Sequence, residues 1–108
     1  MRIQCKPRLA DVFDHERSDL AAFNKISPKH VDFLICRNDD WTPMLGIELD
    51  DDSHERKAVK NRDMFVNALF ASAGIPLIRI HVREVEQIEV LVAKLTHAWH
   101  HRWKMLEA

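Results

Sequence analysis

The chain has 108 residues, 46% hydrophobic and 31% charged, which suits a single domain with an apolar core and excludes a disordered chain. Its 16 Lys and Arg against 17 Asp and Glu leave a formal net charge of −1, so bulk polycation binding of nucleic acid is excluded while a local patch is not. The two cysteines, Cys5 and Cys36, argue against a disulfide scaffold and exclude a zinc site made of Cys pairs.

The opening, MRIQCKPRLADVFDHER, lacks the apolar stretch of a secretory signal, and no run has membrane-spanning length. One cytoplasmic domain over residues 1–108 is therefore expected, with no membrane partner. Arg2 to Phe13 interleaves Ile3, Cys5, Leu9, Val12 and Phe13 with polar residues and reads as extended. Asp14 to Lys29 reads as a loop with a short helix around Leu20 to Phe23, ending near Pro28. Two strands follow, His30–Cys36 (HVDFLIC) and Met44–Asp50 (MLGIELD), joined by the polar hairpin connection RNDDWTP. Period-two alternation in the second strand puts Leu45, Ile47 and Leu49 on one face and Gly46, Glu48 and Asp50 on the other.

Asp52 to Ala73 changes to the helical period. Ala58, Phe65, Leu69 and Ser72 form a stripe, widened by Val59, Val66, Phe70 and Ala73. Asp52-Ser53-His54-Glu55 is a capping-box pattern at its start, and Gly74 with Pro76 stops it. Ile75 to Val82 (IPLIRIHV) reads as a strand buried on both faces. Glu84 to about Leu106 repeats apolar residues at Ile88, Leu91, Val92, Leu95, Trp99, Trp103 and Leu106, an amphipathic helix. The order predicts an α/β domain with a mixed sheet of about four strands flanked by helices.

The informative stretch is Glu48-Leu49-Asp50-Asp51-Asp52, four carboxylates in five residues where a strand gives way to a helix. Glu48 and Asp50 on one face place their Cα atoms about 7 Å apart. Such like charges raise each other's pKa unless a cation lies among them, and Mg²⁺ needs only one or two carboxylates. Asp51 and Asp52 are also what a turn and a helix cap call for. Glu48, beside Gly46 in an apolar strand, is costly to bury unpaired, and Asp32 between Val31 and Phe33 raises the same question one strand earlier. Two acids on one hairpin can converge on a metal, although a buried acid can equally pair with an arginine. His54, in the first helical turn, is either a solvated histidine or a general acid or base with an ordinary pKa of about 6.5.

HVDFLIC, the loop, MLGIELDDDSHER, the charged helix and AGIPLIRI together resemble the DUF2726 family of the restriction-endonuclease-like PD-(D/E)XK superfamily, over Arg2 to Val82. The arrangement is also similar to very-short-patch-repair endonucleases. The resemblance implies a restriction-endonuclease-like core and metal-assisted hydrolysis of phosphodiester bonds in DNA or RNA, DNA being the expected partner. Asp32 matches the acid of the PD motif, with Val31 in place of the proline, and Glu48 matches the acid of the second strand. Both would hold Mg²⁺ or Mn²⁺, with the Leu49 carbonyl as a third ligand. Asp50 stands where many members carry a lysine that positions water or steadies negative charge; His54 would take over part of that role, and Lys57 or Lys60 would supply the missing charge. Arg56, Lys57, Lys60, Arg62 and Arg79 are available to the nucleic-acid backbone.

Members of the family usually carry a helix before the first strand, often with a further acid, and the chain starts after that point. The face it would cover would then receive a second copy of the chain or another partner. These two departures favour the alternative, a nuclease fold without catalysis that binds nucleic acid or protein. A receiver-type acidic pocket needs more parallel strand–helix units than this pattern supplies. His97 and His101 have the i, i+4 spacing of a metal pair but no visible third ligand, and read as surface. Trp99 and Trp103 read as core or as a lid over the face of the missing helix, and Cys36 as a small core residue.

Overall fold

The computed structural model describes residues 1–13, 29–51 and 57–107. Among them, four strands form one sheet in the order β1 (Arg2–Cys5), β2 (Phe33–Cys36), β3 (Pro43–Asp50) and β4 (Leu77–His81). The β1–β2 and β2–β3 pairs are antiparallel and the β3–β4 pair is parallel, so the sheet is mixed as expected. The helices among the described residues are the single turn α1 (Leu9–Val12), α2 (Lys57–Ala73) and α3 (Ile88–Glu107).

Alternation along the strands sends side chains to two helical layers. Leu34 and Cys36 of β2 join Leu9, Phe13, Val31, Val66, Phe70 and Ile75 in a core under α2. Ile35, Leu45, Ile47 and Ile80 face the other way and pack against Ala98, with Leu91, Leu95 and Trp99 of α3 alongside. Burying each large side chain of these clusters contributes about 1.5–3 kcal/mol. The β3 alternation holds for Leu45 and Ile47, but Leu49 is 39% exposed and stands outside that cluster.

Several sequence expectations are corrected. The opening segment is extended only to Cys5. Lys6 takes a left-handed conformation (φ 47°), Pro7 follows, and the chain leaves the ladder to make the turn α1, which buries Leu9 completely. Strand β2 starts at Phe33, not at His30, because residues before it pair with this bend instead: Lys6 N–H donates to the Asp32 carbonyl at 2.8 Å and Leu9 N–H to that of Lys29 at 2.9 Å. The inner face of α2 is carried by Val66 and Phe70, flanked by Phe65 and Leu69, whereas Ser72 is exposed. The capping box at Asp52–Glu55 lies outside the described residues.

Gly74 ends α2 at φ +72°, donating to the Ala71 carbonyl while Ile75 N–H donates to that of Phe70, the paired bonds of a Schellman motif. Strand β4 lies at the sheet edge, so only Ile80 of it is buried rather than both faces. A 3₁₀ turn, Val82–Glu86, precedes α3, capped by His81 and Glu84, and displaces the helix start from Glu84 to Ile88. The apolar stripe of α3 is only partly used: Ile88, Val92, Trp103 and Leu106 remain exposed at its ends. Among the described residues no helix is long and apolar enough to cross a membrane.

Candidate functional site

The site forms where β2 begins and β3 ends. With β2 starting at Phe33 opposite Ile47, the next pair of positions has no backbone ladder, and two acid side chains replace it. Asp32 N–H donates to Glu48 Oε1 at 3.1 Å, and Leu49 N–H donates to Asp32 Oδ2 at 2.8 Å. The two acids, one on each strand of the hairpin, are thereby interlocked. Asp32 Oδ1 accepts no hydrogen bond among the described residues. In an extended strand the N–H and C=O of one residue leave by the same edge, so the Leu49 carbonyl faces the Asp32 side too.

Glu48 is 4% exposed. Burial, above all, pushes its pKa up, and the Asp32 charge adds to this. Arg62, the Asp32 N–H and Arg79 pull the other way. The cation that reaches Glu48 is Arg62, whose Nη1 lies 3.4 Å from Oε2. Its position follows from α2. Arg62, Val66 and Phe70 are spaced i, i+4, i+8 and share a helix face, and Phe70 packs against Gly46, two residues before Glu48. Arg62 Nη2 also donates to the His30 carbonyl at 2.6 Å, tying the approach to β2 onto α2.

Asp50 does not join the Asp32–Glu48 pair directly. It is held by Arg79 of β4, with Nη1 to Oδ1 at 3.3 Å. The parallel register places Arg79 opposite Glu48. A second row of α2, Asp63 and Asn67 at i, i+4, lies over Arg79. Asn67 Oδ1 accepts from Arg79 Nη2 at 2.9 Å and Nε at 3.1 Å, and Asp63 Oδ1 lies 3.4 Å from Arg79 Nη1 and 3.4 Å from Arg62 Nη1. Asp63 thus bridges the two arginines.

Of the expected site residues, the fold brings Asp32, Glu48 and Leu49 together and sets Asp50 beside them on Arg79. Arg79 is accordingly no free surface cation, since its side chain is only 22% exposed. Lys60 is exposed on α2. His54 and Arg56 lie outside the described residues, as does the side chain of Lys57. Among the described residues no three of His, Cys, Asp and Glu gather as a metal-holding group.

Sequence reasoning missed the roles of Arg62, Asp63 and Asn67. The signal was there: the i, i+4 rows Arg62–Val66–Phe70 and Asp63–Asn67 place polar groups one turn before or beside buried apolar ones. His97, His100 and His101 are exposed on α3, and Trp99 stacks on Trp103 at 6.4 Å. Cys36 is buried, and burial pushes its thiol pKa up.

The model of a protein family described as protein of unknown function (DUF2726) matches residues 1–98, and the chain belongs to that family. No curated protein and no solved structure matches it.

Proposed function

We propose that this member of the DUF2726 family is a divalent-cation-dependent nuclease domain with a restriction-endonuclease-like, PD-(D/E)XK-type core, hydrolysing phosphodiester bonds in DNA or RNA. The observation that carries the reading is the interlocking of Asp32 and Glu48 across the hairpin end. A half-buried and a buried carboxylate held together have a strong electrostatic demand for a cation, and the Leu49 carbonyl adds a hard oxygen donor on the same side. These donors fit Mg²⁺ or Mn²⁺, which keep several waters and ask for few protein ligands.

When bound, the cation would acidify a water and neutralise charge on the scissile phosphate. Asp32 and Glu48 would hold it, the Asp32 N–H would keep Glu48 oriented, and His54 would accept or relay the proton of the attacking water. Asp50 serves as the anchor of Arg79. The two free thiols, Cys5 and Cys36, agree with a reducing, cytoplasmic setting.

A second reading is a catalytically inactive module that binds nucleic acid or protein. It is favoured by Arg62 on Glu48 and Arg79 on Asp50, which already offset two of the charges a metal would neutralise. Calorimetric titration of Mg²⁺ and Mn²⁺ into the parent and Glu48→Ala, paired with supercoiled-plasmid cleavage with and without chelator, tests both. The nuclease reading expects saturable binding weakened at least about tenfold by Glu48→Ala, in the range seen when the support of a metal ligand is lost. It also expects cleavage that the chelator abolishes. No binding of either ion by the folded parent refutes it, and metal-independent oligonucleotide binding without cleavage supports the second reading.

A further inference from the structure

The two arginines of the site are bonded in an uneven way. Each is anchored on one side by neutral acceptors at short range: Arg62 Nη2 to the His30 carbonyl at 2.6 Å, and Arg79 to the Asn67 amide oxygen at 2.9 and 3.1 Å. Neutral anchors fix a guanidinium without offsetting its charge. Toward the acids, both Nη1 atoms make only long contacts, 3.3 Å to Asp50 and 3.4 Å each to Glu48 and Asp63. Charge-assisted N–H···O bonds favour about 2.7–2.9 Å, so these Nη1 contacts are longer than that range. Both Nη1 atoms lie 3.4 Å from the same Asp63 oxygen. Both side chains keep some solvent contact, 33% for Arg62 and 22% for Arg79.

We infer that Arg62 and Arg79, bridged by Asp63, form a seat for a nucleic-acid phosphodiester beside Asp32 and Glu48. A phosphate offers what the seat lacks, several anionic oxygens free to approach at bonding distance, and paired guanidiniums match its geometry. Among the described residues, the carboxylates of Asp32, Glu48, Asp50 and Asp63 stand around the two arginines. An approaching phosphate meets these carboxylates as well as the guanidiniums, so a divalent cation held among the acids strengthens strand binding through this seat. Asp63 sets the seat's strength, because its carboxylate is the group an incoming phosphate must displace. This inference rests on the proposed nucleic-acid role and adds to it the groups that grip the backbone.

The test is fluorescence anisotropy of a fluorescein-labelled DNA oligonucleotide titrated with the full chain, in Ca²⁺ and in chelator, over a salt series. The parent is expected to bind in Ca²⁺ and much more weakly in chelator. Arg62→Gln and Arg79→Gln should each weaken Ca²⁺-dependent binding about tenfold, as loss of a charged hydrogen bond does. Each should also lower the salt slope by about 0.7–1. Arg79→Lys should keep the slope. Asp63→Asn should tighten binding, whereas a purely structural Asp63 would loosen it. Lys94→Gln, which breaks the Lys94–Glu84 pair, serves as the control for general charge loss. Circular dichroism establishes that each variant is folded.

Arginine variants that are folded and bind with the parent's affinity and slope overturn the inference, as does a parent that binds no oligonucleotide. Plasmid cleavage separates it from the nuclease reading. Binding through these arginines without Mg²⁺-dependent cleavage keeps the seat and removes the nuclease reading. Undiminished cleavage by the Arg62→Gln/Arg79→Gln double variant does the reverse.

Discussion

Gly46 ties the core to the site, and replacing it with alanine tests that tie. A Cβ built there lies 2.6 Å from Phe70 Cε1, 3.0 Å from Cζ and 3.1 Å from Leu77 Cδ1. Ordinary contact begins near 3.4 Å, so the Phe70 ring must retreat by about 0.8 Å. It has nowhere easy to go, because Phe70 is 0% exposed and Phe13 stands edge-on to it with ring centroids 5.0 Å apart. Overpacking of this kind costs about 2–3 kcal/mol, and the lost backbone freedom of glycine returns about 0.5–1, leaving a net loss of about 1–2.5 kcal/mol. For a domain of this size that lowers Tm by about 4–20 °C. The assay is thermal denaturation by circular dichroism of Gly46→Ala, Phe70→Leu and the double variant, read as a thermodynamic cycle. The smaller leucine should absorb much of the penalty, giving a favourable coupling of about 1 kcal/mol. A Gly46→Ala protein within about 2 °C of the parent, or an unchanged penalty beside Leu at position 70, would refute the packing of α2 onto β3. Arg62 shares the Phe70 face of α2, so the same displacement should also draw it away from Glu48.

The raised pKa of Glu48 has a definite consequence for stability. The folded protein holds this proton to higher pH than the unfolded chain, whose carboxyl titrates near the ordinary 4.5, so stability falls as pH rises from 4.5 through the folded pKa and then levels off. Urea denaturation across that window, in chelator, should show the fall in the parent and its absence in Glu48→Gln; parallel pH profiles would contradict the buried-carboxylate account. Gly74→Ala should lose about 1–2 kcal/mol in the same assay, since φ +72° is unfavourable for a residue with a Cβ. Gly74→Asn should lose less because asparagine tolerates that conformation, and equal losses would rule out backbone strain as the cause.

The two acids that organise the site were legible as an anomaly. Glu48 in an apolar strand, and Asp32 one strand earlier on the same hairpin, each violate the pattern around them, and a buried acid demands a partner. Their convergence followed from hairpin geometry, which sequence spacing can imply. The identity of the partner did not, because Arg62 lies on a helix that any of several packings could have placed elsewhere. Asp50 reads in sequence as a third member of the acid group, sharing a face with Glu48. Its separation from them depends on the parallel register of β4, which lays Arg79 opposite Glu48 and within reach of Asp50.

Local chemistry in the sequence determined the elements themselves: the alternation of β3, the helical period and Gly74 stop of α2, and the hairpin between β2 and β3. These depend on residues a few positions apart, where backbone preference and apolar periodicity act directly. Tertiary structure alone decided where β2 starts, since the competing pairing comes from Lys6 to Leu9 far upstream. It alone also decided that β4 is an edge and that two guanidiniums meet at Asp63. Near-neutral net charge, which excluded a bulk polycation, is blind to this last feature, because electrostatic work depends on distance and burial rather than on the sum of charges.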